Sequence, residues 1–301
     1  MSGNQPGAAP TAPGDRPPIL LFGATSMLGF NLVLHGGRRF VPIANRNNRI
    51  AADLGWERLD AADAGAVAAL VSRYKPEIVL YCDAVCDVPK CEQDPSWARA
   101  INVSNFEILL SQLEPQTRLV YVSSDHVFGG DGTYNEGSPV SPISVYGETR
   151  VEAEALVAER QGALLIRVGL PVGRSLDGRS GHLDWLRYRH GKGLPITIIR
   201  DEQRSAVWAD QLAKRVLELA ESDVTGCRHV VATRPVMRPD LAAALMARMG
   251  LPPAFDIASR TQQPYPHLGQ VELATVYDDP LAQPLDAVVS SSEADVETAD
   301  R

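Results

Sequence analysis

The sequence predicts a doubly wound α/β fold on three observations. Its strands are short and apolar throughout, amphipathic stretches of helical spacing separate them, and a glycine-bearing turn follows the first strand at once. Strands that are apolar on both faces need helices above and below, and this arrangement is a parallel sheet. "ILLF" (19–22) is the first buried strand, and "MLGFNLVLHG" (27–36) is the helix after it. "FVPIA" (40–44) is the next strand, "AGAVAALVSRY" (64–74) a helix, and "EIVLYC" (77–82) a strand again. "WARAINVSNFEILLSQL" (97–113) reads as one long helix leading into the strand "RLVYVSS" (118–124). A helix carrying Tyr146 follows, with Ser141 as N-cap and Pro142 in its first turn, and then the strand "ALLIRV" (163–168).

After Gly169 the texture changes to loops rich in Gly, Arg and Pro, with the shorter elements "ITII", "WADQLAKRVLELA" and "PDLAAALMARM". The expected organisation is therefore a disordered tail over 1–17 and a dinucleotide-binding domain over 18–169. A smaller, irregular substrate lobe covers 170–283, with strands returning to the main sheet, and a disordered acidic tail covers 284–301.

An apolar fraction of 45% in 301 residues supplies ample material for a core. The net charge of -8 provides no basic footprint for nucleic acid or an anionic membrane, so the expected partner is a small molecule. A homodimer is a further expectation. No window approaches the roughly 20 apolar residues of a membrane span, and the first residues lack the basic stretch and apolar core of a secretory signal. A cytoplasmic protein is expected. Cys82, Cys86, Cys91 and Cys227 suit a reducing compartment; their spacing matches no zinc pair and no His lies near, so free thiols are expected and no metal.

"FGATSMLG" stands between a buried strand and a helix, where a pyrophosphate can rest on backbone N–H groups and the helix dipole. Gly23 makes the tight turn and Gly29 a close helix contact, while Met27 and Leu28 open the helix. Ser26 occupies the place of a middle glycine: its side chain narrows the approach, and its hydroxyl can donate to a phosphate. At the end of the second strand Asn45 and Arg46 stand where NAD enzymes carry an acid, which favours NADP and leaves NAD as the other choice. Arg46 can equally be a solvated loop residue. Asp60 and Asp63 either meet an adenine or cap the next helix.

Tyr146 and Arg150 in "YGETR" are one helical turn apart and share a face. A unit charge about 6 Å from a phenol, at an effective dielectric near 20, contributes roughly 3 kcal/mol, or about two pKa units toward neutrality.

Together with "YVSSDHVFGGDGTYNEGSPVSPISVYGETRVEAEAL", these residues resemble an extended short-chain dehydrogenase/reductase, and more narrowly the dTDP-4-dehydrorhamnose reductase family. That family also includes the regulatory subunit of methionine adenosyltransferase. "VPKCE" is similar to the family's V-D-K-x-E, Asn102 to the Asn of its V-N, and "DEQ" (201–203) to its D-D-Q. The resemblance implies NAD(P)(H) on the first lobe, a nucleotide sugar between lobes, and hydride transfer to a sugar ketone. It implies Tyr146 as the proton donor, Ser124 as the hydroxyl on the carbonyl, Arg150 as the cation, and Asp125, His126 and Leu170 against the substrate. His126 can alternatively serve as the proton donor or only fill a polar wall.

Departures gather around one pocket. Arg150 replaces Lys, Ser26 a glycine, His126 an aromatic, Leu170 a Trp, "SAVW" (205–208) a G-x-P-T, and "YCDA" (81–84) an N-A-A-A that lacks Asp83. The expected substrate therefore differs from dTDP-4-dehydrorhamnose. Three readings stand: an NAD(P)-dependent reductase of a keto nucleotide sugar, a cofactor-binding regulatory protein, or an epimerase or dehydratase with tightly held cofactor.

Overall fold

In the computed structural model, which describes residues 17–289, a parallel sheet of seven strands forms the centre. Its spatial order is Gly226–Val230, Leu164–Val168, Arg118–Ser124, Ile78–Tyr81, Ile19–Phe22, Phe40–Asn45 and Glu57–Leu59. The chain leaves Ile19–Phe22 toward one edge and returns to Ile78–Tyr81 on its other side. That reversal opens a crevice at the carboxyl ends of these two strands, where doubly wound sheets hold their ligands.

The apolar strands are buried on both faces because two helical layers cover them. One layer packs Leu28 and Leu32 of the helix Met27–Gly36 against Leu212, Ala213 and Val216 of the helix Ala209–Glu221, over Leu21 and Leu80. The other packs Val67, Leu70, Phe106, Leu109 and Ala153 over Leu20, Tyr81 and Tyr121. A separate cluster containing Leu170, Ile198, Leu241, Leu245 and Val288 forms the core of the smaller lobe.

The stretch after Gly169 serves both lobes: the strand Gly226–Val230 returns to the main sheet and the helix Ala209–Glu221 covers it. Other expectations change. Of the disordered tail expected over 284–301, the described part is ordered: Ala287, Val288 and Val289 are buried, and Val288 N–H donates to Ala206 O at 3.0 Å; the rest lies outside the described residues. The expected tail over 1–17 lies almost wholly outside the described residues.

The helix expected over 97–113 begins at Pro95 under an Asp94 cap, widens to a π-turn over Ala100–Ser104 and ends at Leu110. Asn102 in this π-turn is fully buried and bridges Val85 N, Val85 O and Thr149 Oγ1 at 2.8, 3.1 and 2.9 Å. Wide turns of this kind mark functional regions, and here the turn ties the crevice loop after Tyr81 to the Tyr146 helix. That helix, Val145–Ala158, is capped by Ser144 accepting from Gly147 N at 3.1 Å, not by Ser141. Ser141 and Pro142 belong to the preceding loop, where Ser141 N–H donates to Val127 O.

Candidate functional site

Gly23 turns the chain with φ of +82°, a conformation for which glycine alone carries no Cβ penalty. A Cβ on it would lie 2.5 Å from Asp83 N, so the glycine turn and the end of the Ile78–Tyr81 strand touch backbone to backbone. A Cβ on Gly29 would collide with Gly23 O, so its close contact is with the turn itself. Ser26 is the helix N-cap, its Oγ accepting from Gly29 N at 3.0 Å and lying 3.6 Å from Cys82 Sγ. The hydroxyl oxygen is thus engaged in shaping the turn. Met27 and Leu28 open the helix, and N–H groups at these positions have no intrahelical acceptor. They point their partial positive charge at the crevice, which fits a phosphate group.

At the crevice rim, the Asn45 carboxamide accepts from Asn47 N, and Asn48 caps the helix Arg49–Asp53. The Arg46 guanidinium is largely exposed and lies 3.5 Å from Asp60 Oδ2. Arg58, which the sequence reading did not single out, donates to Arg46 O at 3.0 Å and brings a second cation beside it. Asp63, rather than Asp60, caps the helix Ala64–Tyr74.

The reaction end lies one strand further along. Ser124 ends the strand Arg118–Ser124, and its Oγ donates to Asp125 Oδ1 at 3.1 Å, accepts from His126 N at 3.3 Å and lies close enough to Tyr146 to lower its phenol. Gly147 lets the Tyr146 helix press against His126 O, where any side chain would collide. This contact sets the Tyr146 ring edge-on to His126 at 5.1 Å between centroids.

Tyr146 and Arg150 both face inward, at 6% and 2% exposure. Burial raises the Tyr146 phenol above its ordinary value, and the Arg150 charge offsets only part of this. The expected net shift toward neutrality is therefore corrected: desolvation outweighs the charge, and the phenol stays protonated and able to donate.

Arg150 donates through Nη2 to Val122 O and lays its guanidinium carbon 4.8 Å over the Tyr121 ring. Among the described residues its Nε and Nη1 are buried without hydrogen-bond partners, as are the hydroxyls of Tyr81 and Tyr121. Burial opposes its charge, but Tyr121, Tyr146 and Glu154 outweigh that effect and keep it cationic. Glu154, two turns along the same buried face, is held by Arg167 at 2.7 Å.

Three further assignments change or narrow. Asp125 was expected against the substrate, yet it is fully buried and clamped by Arg204 through bonds of 2.7 and 2.6 Å. Arg204 follows "DEQ" directly and also meets Glu202 at 3.2 Å, which in turn lies 3.4 Å from Arg238 and 3.6 Å from His267. Asp125 therefore joins the lobes. Leu170 was likewise expected on the substrate, but it pairs with Ala206 in a short parallel ladder and packs into the small-lobe core. Burial, followed by the Arg204 charge, lowers the His126 imidazole to about 4. A ring that is neutral at pH 7 is a poor proton donor, so His126 is left as part of the polar wall.

A glycine turn at the switch point of a doubly wound sheet, with a Ser–Tyr pair at the carboxyl ends of its strands, defines an extended short-chain dehydrogenase/reductase. The RmlD substrate binding domain family matches residues 17–294, and the chain belongs to this family. It is 31% identical over 229 residues to a probable dTDP-4,6-dihydroxy-2-methyloxan-3-one 4-ketoreductase of Streptomyces antibioticus, covering 74% of each chain. It is 33% identical over 168 residues to methionine adenosyltransferase 2 subunit beta of Xenopus tropicalis, covering 52% of this chain and 47% of that one. In fold it is similar to a dTDP-4-dehydrorhamnose reductase of Bacillus anthracis solved in complex with NADP, with a TM-score of 0.77, 19% identity and coverage of 94% and 98%.

Proposed function

We propose that this protein is an NADP-dependent reductase of a keto nucleotide sugar, in which Tyr146 protonates the carbonyl oxygen. The observation that carries this reading is a buried Tyr146 edge-on to His126, with Ser124 at the adjoining strand end and the buried Arg150 cation one helical turn along, at the end of a crevice that begins with a glycine turn. Its relatives include a probable keto-sugar 4-ketoreductase that matches across most of both chains.

The residues present fit a dinucleotide. Met27 and Leu28 N–H groups would receive the pyrophosphate, with Gly23, Ser26 and Gly29 shaping their turn, and Arg46 with Arg58 would pair with a 2′-phosphate at the rim where Asn45 leaves no acid to repel it. Asp60 holds Arg46 loosely until the phosphate competes for it. When bound, the cofactor supplies the hydride. Ser124 Oγ would hydrogen-bond the substrate carbonyl oxygen, and Tyr146 Oη would pass its proton to that oxygen as the carbon is reduced. Arg150 stabilises the phenolate left behind but cannot release a proton of its own, so Tyr146 is reprotonated from solvent in the cleft. The small lobe, joined through Asp125 and Arg204, would close over the sugar.

The test is NADPH binding by calorimetry, followed by NADPH absorbance with a panel of keto nucleotide sugars. Binding with consumption by at least one substrate supports the reading. Binding without consumption on a wide panel turns it toward a cofactor-holding regulatory protein, such as the methionine adenosyltransferase subunit it is similar to over half its length.

A further inference from the structure

Asp83 stands two residues beyond the strand Ile78–Tyr81, at the mouth of the crevice. Its backbone touches the glycine turn, since a Cβ on Gly23 would lie 2.5 Å from Asp83 N and 2.7 Å from its Cα. Burial raises the Asp83 carboxyl above its ordinary value, and the charge of nearby Arg150 offsets part of this. Among the described residues the half-buried carboxyl makes no hydrogen bond or ion pair with the protein. An ionisable group that is desolvated without a protein partner is costly, and such a group at a ligand crevice calls for a ligand.

We propose that the Asp83 carboxylate accepts hydrogen bonds from the ribose hydroxyls on the nicotinamide half of the bound dinucleotide. This rests on the dinucleotide reading above. The position selects that half: Asp83 lies between the turn that seats the pyrophosphate and the Tyr146–Arg150 pair beside the reacting carbon. The part of a dinucleotide spanning these two points is the nicotinamide ribose. The chemistry agrees as well, because a ribose diol offers two donors and a carboxylate is an acceptor for both.

Arg150 explains why an acceptor is needed there. Its Nη2 is committed to Val122 O and its guanidinium lies over the Tyr121 ring, beneath the crevice floor. A guanidinium carries donors only and cannot accept from ribose hydroxyls, so Asp83 supplies the acceptor from the neighbouring strand. The Arg150 charge in return lowers the cost of holding a carboxylate near the phosphates.

The experiment compares two probes by calorimetry on the full chain: NADPH, and adenosine 2′,5′-bisphosphate, which carries the adenine half alone. Asp83→Ala should weaken NADPH by about tenfold, the lower end for a hydrogen bond to a charged acceptor, and leave the bisphosphate unchanged. Asp83→Asn keeps the shape and one acceptor, and should lose less. Thermal melts of both variants establish that they fold, and if Asp83→Ala does not, Asp83→Asn carries the comparison alone. Equal losses for both probes would show that Asp83 acts through the glycine turn and would overturn the assignment. Unchanged or tighter NADPH binding would overturn it too. A wild type that binds neither probe defeats the dinucleotide reading itself, an outcome distinct from any result on the variants.

Discussion

Replacing Asp125 with alanine should unfold the interface between lobes before it affects substrate binding. The carboxylate is fully buried and takes two charge-assisted bonds from Arg204, at 2.7 and 2.6 Å. Removing one partner of a buried pair costs about 3 to 5 kcal/mol, because the other charge stays buried and uncompensated. Arg204 keeps Glu202 at 3.2 Å, so the lower end applies, about 3 kcal/mol. For a chain of this size that corresponds to a fall in Tm of roughly 5 to 9 °C. The assay is a thermal melt of the wild type, Asp125→Ala, Arg204→Met and the double variant. The double variant should be less destabilised than the sum of the singles by about 2 kcal/mol, because the second change removes the orphaned charge. An Asp125→Ala protein with unchanged Tm and a raised KM would refute this reasoning and return Asp125 to the substrate surface.

Three other outcomes follow from the same geometry. Arg46→Ala should narrow any preference for NADPH over NADH by about tenfold, through loss of a charge-assisted contact to the 2′-phosphate, and paired calorimetric titrations check it; an unchanged preference contradicts the rim assignment. Burial and then Arg204 hold the His126 imidazole at about 4, whereas in the unfolded chain it titrates near 6.5. The unfolded state thus takes up the proton first, so stability present above pH 6.5 is lost as pH falls toward 4, and His126→Gln should flatten that part of the denaturation-versus-pH curve. Arg150→Met should reduce both turnover and NADPH affinity, because it removes the positive charge beside Tyr146 and over the Tyr121 ring; stopped-flow rates and titrations on one preparation separate the two losses.

Five of the seven strands were legible as apolar runs, the mark that burial on both faces of a parallel sheet leaves, whereas the edge strands Glu57–Leu59 and Gly226–Val230 carry Glu, Arg and His and were not. The shared face of Tyr146 and Arg150 was legible from spacing, since one helical turn fixes it, while Ser124 came only from the family resemblance. What spacing does not carry is direction and long-range pairing. Asp125 follows a site serine directly, yet its side chain turns to Arg204, 79 residues away. Leu170 was expected on the substrate from the family resemblance, but a three-residue ladder with Ala206–Trp208 places it in the small-lobe core. The residues from 284 looked like the start of a polar tail, although Leu285 and Val288 N–H groups pair with Val231 O and Ala206 O, partners that no local pattern reveals. The direction of the Tyr146 shift was missed for a related reason, as the charge of Arg150 is visible in a helix repeat and the depth of burial is not.

The measurement that bears most directly on the central claim is NADPH consumption by Tyr146→Phe with a keto nucleotide sugar that the wild type turns over. The replacement keeps the ring against His126 and deletes only the phenolic hydroxyl. General acid catalysis contributes about 10² to 10⁴ in rate, so turnover should fall by at least that lower figure while NADPH affinity stays within about twofold. Equal turnover by the two proteins would contradict Tyr146 as the proton donor and with it the account of this site.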